Sequence, residues 1–127
     1  MDSVVHFEIP VDDIERAQKF YWSTFGWMMK PDEAMDYTMV TTGEMDSNNR
    51  PKMPGYINGG MMKKTKILKH PIVTINVADI DKAIASAEKN GGKVVVKKAK
   101  MGEFGYAAYV KDTEDNVIGL WHPLNRM

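Results

Sequence analysis

His6-Phe7-Glu8-Ile9-Pro10-Val11-Asp12-Asp13-Ile14-Glu15-Arg16-Ala17 and Ile72-Val73-Thr74-Ile75-Asn76-Val77-Ala78-Asp79-Ile80-Asp81-Lys82-Ala83 spell one pattern at two places in the chain. Laid over one another, they match Ile9 with Ile75, Val11 with Val77, Asp13 with Asp79, Ile14 with Ile80 and Ala17 with Ala83. The same register carries Gly26 onto Gly92. A repeat of this kind implies two similar modules, each presenting an apolar sheet face, with the function expected between them.

Outward from these two stretches, each module reads as strand, helix, then three strands. Val4 to Ile9 is a β-branched and aromatic run, followed by an aspartate pair that can cap a helix; Glu15, three residues after Asp12, completes a capping box. Ile14, Ala17, Tyr21 and Phe25 recur at helical spacing until Gly26 supplies the stop. Strands are predicted at residues 27–30, 37–42 and 56–63. Between the last two lies Gly43 to Gly55, rich in Asp, Asn, Ser and Pro, which reads as a long loop and a candidate lid through Met45 and Met53. In the second module a strand at 71–77 leads to Asp79 as N-cap and to the stripe Ile80, Ala83, Ile84 and Ala87. Asn90-Gly91-Gly92 ends that helix, and strands follow at 94–98, 106–110 and 117–121.

The 127 residues fit one domain, residues 1–127, with modules at about 1–64 and 70–124. There is no cysteine, which rules out disulfides, thiolate metal sites and a cysteine nucleophile. The N-terminal stretch shows no export signal, and no apolar run approaches the ~20 residues that span a bilayer. The expectation is a soluble, cytoplasmic protein. Seventeen basic and seventeen acidic side chains cancel, so neither nucleic acid nor membrane is expected as a partner. Lys63, Lys64, Lys66 and Lys69 read as a solvated connection between the modules. Of eleven methionines, Met28, Met29, Met39, Met61 and Met62 fall on predicted strands, either as adaptable core filling or as a polarizable lining for a ligand.

Val11-Asp12-Asp13-Ile14 leading through Ala17, Phe20-Tyr21 and Phe25-Gly26-Trp27, together with the stretch from Gly105 to Trp121, resembles the vicinal oxygen chelate superfamily: glyoxalases, bleomycin-resistance proteins and extradiol dioxygenases. The resemblance covers nearly the whole chain. It implies an α+β fold in which two β-α-β-β-β modules form an eight-stranded cup. It also implies, in the metal enzymes, a histidine on each module's first strand and a glutamate on each module's last. His6 matches the first histidine, whereas the repeat puts Ile72 at the second, Gly119 at the final glutamate and Gly59 or Gly60 at the other. A catalytic divalent ion takes roughly three protein ligands, so no metal and no cofactor is expected.

His6 is then the candidate catalytic group, as acid, base or hydrogen-bond donor. The strand glycines Gly59, Gly60 and Gly119 are expected to leave volume for a ligand. His6, Asn58, Tyr37, Tyr106 and Trp121 are the candidate lining. The leading expectation is binding of a small, partly apolar or aromatic molecule, either to sequester it or for metal-independent chemistry. One alternative is a metal-dependent lyase, isomerase or dioxygenase using His6, His70 and Glu8. The other is a non-catalytic scaffold whose pocket is filled. Family analogy and the need to cover sheet edges point to a homodimer.

Overall fold

The computed structural model describes residues 1–48 and 50–124; Asn49, one of the residues of the predicted loop, lies outside them. Two compact units are present. One is residues 6–71, and the other joins residues 1–5 to the chain from Ile72 onward.

The first module runs β1 (Val4–Val11), α1 (Ile14–Phe25), β2 (Met28–Asp32), β3 (Tyr37–Thr41) and β4 (Gly59–Lys63). The second runs β5 (Ile72–Asn76), α2 (Ile80–Lys89), β6 (Lys93–Met101), β7 (Gly105–Lys111) and β8 (Val117–Pro123). The class is α+β, and the repeat extends to topology. Strand order is β2-β3-β4-β1 in one module and β5-β8-β7-β6 in the other. In each, the first and last strands pair in parallel while the rest pair antiparallel. Residues 1–5 are tied to the second unit by the Asn76 amide, which donates to the Ser3 carbonyl at 2.9 Å.

The matched aspartates begin both helices. Asp13 Oδ1 accepts from the Arg16 amide and Asp79 Oδ1 from the Lys82 amide, each at 3.1 Å. The cap of α1 is thus one residue later than the capping-box reading of Asp12 and Glu15, and Asp12 instead pairs with Lys64 Nζ at 3.2 Å. Gly26 stops α1 in the left-handed region at φ 73°, and its amide donates to the Trp22 carbonyl at 2.9 Å.

Each helix covers one face of the strands of its own module. Under α1 lie Val11, Val40 and Met61, with Phe7, Ile9, Ile14, Ala17, Tyr21, Trp27 and Met29 around them. Under α2 lie Val77, Ile80, Ala108, Val110 and Leu120, closed by Ala83, Ile84 and Ala87. Complete burial of one such side chain contributes about 1.5–3 kcal/mol, so these clusters carry each module. Phe25, expected on the apolar stripe, is 59% exposed because α1 ends there; it lies against Phe20 and Trp27 instead.

The segment from Gly43 to Gly55 is braced more heavily than its composition suggested. Met45 bridges to Pro51, the Asp46 amide donates to the Arg50 carbonyl at 2.8 Å, and the Lys52 amide donates to the Glu44 carbonyl at 3.0 Å. Tyr56, predicted to open the last strand of the module, belongs to this brace. Its ring fills the space beside Gly43, and its hydroxyl donates to the Glu44 carbonyl and accepts from the Lys52 amide at 3.0 Å. That pulls the chain off the sheet until Gly59. No helix among the described residues is long and apolar enough to cross a membrane.

Candidate functional site

The site is set by alternation along β1. Phe7, Ile9 and Val11 turn toward α1, so His6 and Glu8 share the other face. Gly60 on β4 pairs with Glu8 on one side and Met39 on the other. Having no side chain, it lets Tyr37 reach from β3 across β4 to β1. The Tyr37 hydroxyl donates to Glu8 Oε2 at 2.8 Å and lies 2.7 Å from His6 Nε2. The His6 and Tyr37 rings are stacked, 6.3 Å apart at 19°. A Cβ on Gly60 would overlap the tyrosine ring and hydroxyl. The carboxylate of Glu8, whose residue is only 7% exposed, is thereby hydrogen-bonded as burial requires.

The expectation that strand glycines leave volume is corrected by this packing. Neighbouring side chains occupy the space: Tyr37 beside Gly60, the Phe7 ring and carbonyl beside Gly59, and Thr74 Oγ1 at 2.8 Å from a Cβ built on Gly119. Aromatic cover over strand glycines restores the packing that the missing side chains forfeit.

The face away from α1 also bears Met28, Lys30, Asp32, Met39 and Met62, by their register with Thr41, Met39, Tyr37 and Gly60. Met39 is 46% exposed there. Gly59 lies on the opposite, α1-side face. Asn58 is spent on the loop, its Oδ1 accepting from the Thr42 amide at 2.7 Å and its Nδ2 meeting the Met45 sulfur. His70 is exposed on a bend before β5.

In the second module Gly119 and Trp121 share the face away from α2 with Thr74 and Tyr109. Tyr106 is on the other face, packed with the α2 core, edge-on to His122 at 5.8 Å and beneath Lys98 Nζ at 5.1 Å. His122 Nδ1 accepts from the Ile80 amide at 3.2 Å, next to the start of α2. Thr74 is 7% exposed, and its hydroxyl has no partner among the described residues. Of the residues expected at the site, the structure brings His6, Tyr37 and Gly60 together with Glu8. Sequence reading missed the bridge itself, whose only signal was Glu8 two positions from His6.

Burial lowers the His6 pKa below its ordinary 6.5, partly opposed by the Glu8 carboxylate, which raises it. A lowered value means that the unfolded chain binds the proton more readily than the folded one. This contribution to stability is full above pH 6.5 and is lost as pH falls through 6.5 toward the lower folded value. Urea midpoints should therefore fall between about pH 7.5 and about pH 5, and less steeply in His6→Gln. An unchanged slope would show that other groups carry it. The Asp79 and Asp112 carboxyls lie below 3.8, held chiefly by hydrogen bonds from the Lys82 and Asn116 amides, and contribute only at lower pH.

A Didymella fabae protein described as glyoxylase-like domain-containing is 32% identical to this chain over 111 residues, 86% of this chain and 84% of the relative. The chain belongs to the vicinal oxygen chelate superfamily. Within that superfamily its residues 3–43 match the family described as bleomycin resistance protein-like N-terminal. A Mycobacterium bovis protein described as a glyoxylase is 28% identical over 121 residues; the match covers 90% of this chain but only 43% of that protein. Among solved structures, methylmalonyl-CoA epimerase from Mycobacterium tuberculosis aligns over 96% of this chain and 88% of its own, at a TM-score of 0.63 and 14% identity. A Bacillus halodurans protein of unassigned function aligns over 99% of this chain and 97% of its own, with a TM-score of 0.65 and 10% identity. At such identities these two show the glyoxalase/bleomycin-resistance fold, and the fold alone.

The metal implied by the superfamily does not fit the residues present. Tyr37 takes up the space at Gly60 and bonds both His6 and Glu8, while Ile72 stands where the second histidine would. Among the described residues no group of three or more His, Asp or Glu side chains is placed to hold an ion.

Proposed function

We propose that the protein binds a small, partly apolar or aromatic molecule without a metal ion, on the face of the first module away from α1, with His6 as the polar group that engages it. The observation that carries this reading is the Tyr37 hydroxyl bridging Glu8 and His6 at 2.8 and 2.7 Å, which makes a polar anchor on the face that also bears the exposed Met39. Sites for small molecules combine an apolar wall with few fixed polar groups. Whether binding ends in sequestration or in proton transfer at His6 follows from the ligand.

Protein purified without chelator is expected to carry no stoichiometric nickel, zinc, iron or manganese by elemental analysis. Saturation-transfer NMR should detect small aromatic compounds on the metal-free protein, with perturbed resonances at His6 and Met39. Stoichiometric metal that disappears in His6→Ala would overturn the proposal in favour of a metal-dependent lyase, isomerase or dioxygenase. A second reading, a scaffold without a ligand, draws on the filled space beside Gly59, Gly60 and Gly119. Failure of every small aromatic compound to bind the metal-free protein would favour it.

A further inference from the structure

The hydrogen bonds around Tyr37 fix where the proton of His6 sits. A carboxylate oxygen only accepts, so the single hydroxyl hydrogen of Tyr37 goes to Glu8 Oε2. Its oxygen then faces His6 Nε2 as an acceptor, and Nε2 must carry the imidazole hydrogen. In the neutral ring Nδ1 is left with a lone pair. Burial favours that neutral ring, since it pushes the His6 pKa down against the pull of Glu8. A ligand at His6 therefore meets an acceptor and not a donor.

Three kinds of ligand are disfavoured on these grounds. A carbonyl or ether oxygen would set lone pair against lone pair. A carboxylate would do the same. A cation would leave water for a face that carries the thioethers Met39 and Met62, while the Glu8 oxygen Oε2 already accepts from Tyr37. Met39 and Met62 on that face suit a flat aromatic ring, because thioether sulfur packs favourably against aromatic edges. Among the described residues Lys30 and Asp32 also face that side, on the outer strand β2, farther along the sheet than Glu8.

We infer that the ligand is a neutral aromatic molecule carrying a hydrogen-bond donor, a ring N–H or a phenolic O–H, bonded to His6 Nδ1 and packed on the methionines, with Tyr37 as the positioning residue that sets the tautomer. This rests on the binding reading above and narrows it to one class. No bond to carbon is made or broken in this step, and the ligand hydrogen stays between its own atom and Nδ1.

Two probe pairs test it by equilibrium titration: indole against 1-methylindole, and phenol against anisole. In each pair a methyl group replaces the donor hydrogen, and the apolar surface it adds would by itself favour the methylated member. The donor member should bind about tenfold more tightly, the effect of one net hydrogen bond. The indole and phenol arms separate a ring N–H from a phenolic source. Long-range proton–nitrogen NMR should find Nδ1 of His6 unprotonated in the free protein, and Nδ1 rather than Nε2 should shift on binding. In Tyr37→Phe, which keeps the ring over Gly60, both the tautomer preference and the tenfold discrimination should collapse. If that variant does not fold, the wild-type titrations and nitrogen shifts still decide. Equal binding of donor and methylated members, or a protonated Nδ1, overturns this inference while leaving the aromatic-binding reading in place. No binding by any of the four probes or by other small aromatics overturns both.

Discussion

Gly59→Ala is expected to lower the unfolding free energy by about 3 kcal/mol, the upper range for forcing volume into a packed sheet. A Cβ at this position would strike the Phe7 carbonyl as well as the Phe7 ring, and a main-chain atom in the β1–β4 ladder has nowhere to go. Gly60→Ala is the informative comparison. The three atoms nearest to a Cβ there all belong to the Tyr37 side chain, which can swing away by giving up its bonds to Glu8 and His6, at about 2 kcal/mol given that one acceptor is charged. In a Tyr37→Ala background Gly60→Ala should therefore cost little more, giving a coupling of about 1–2 kcal/mol in a double-mutant cycle. Phe7→Ala should relieve Gly59→Ala far less. Urea unfolding of the six variants measures both cycles, and equal rescue in the two would refute the distinction between main-chain and side-chain obstruction.

Met61→Ala carries the second large effect, a loss of about 2–5 kcal/mol. Met61 is 0% exposed and sits with Val11 and Val40 beneath α1, so truncation leaves a cavity walled by rigid strands. Met39→Ala, on the opposite face and half in solvent, should change stability by no more than about 0.5 kcal/mol. The same Met39 change should weaken binding of an aromatic probe, whereas Met61→Leu should not. If Met39 proves as costly to stability as Met61, the face away from α1 is a packed core, and the proposed site would be lost.

These two methionines show how far the chain could be read without its structure. Both fall on predicted strands, where core filling was the first reading and ligand lining the alternative. The choice depends on register. Val40 and Met61 reach the α1 side because Thr38 pairs with Met61 and Val40 with Gly59, which sends Met39 to the other face. A shift of one residue would exchange the two sets.

The sequence by itself determined the elements that depend on neighbours along the chain. The duplicated order of strand and helix, an aspartate cap ahead of each helix, Asp79 by position and the Asp12-Asp13 pair to within one residue, and the stop at Gly26 are local, since alternation, capping and positive φ act within a few residues. Alternation also placed His6 and Glu8 together and His122 opposite Gly119. Only the tertiary structure decided what the glycines and aromatics do. Tyr37 crosses Gly60 to join His6 and Glu8 because β3, β4 and β1 lie side by side in one register, though these residues are far apart in sequence. Tyr106 faces α2 while Trp121 faces away because β7 and β8 pair Tyr106 with His122 and Ala107 with Trp121. Pairing between strands is fixed by closing the whole sheet over its helix, and no local signal in the chain encodes it.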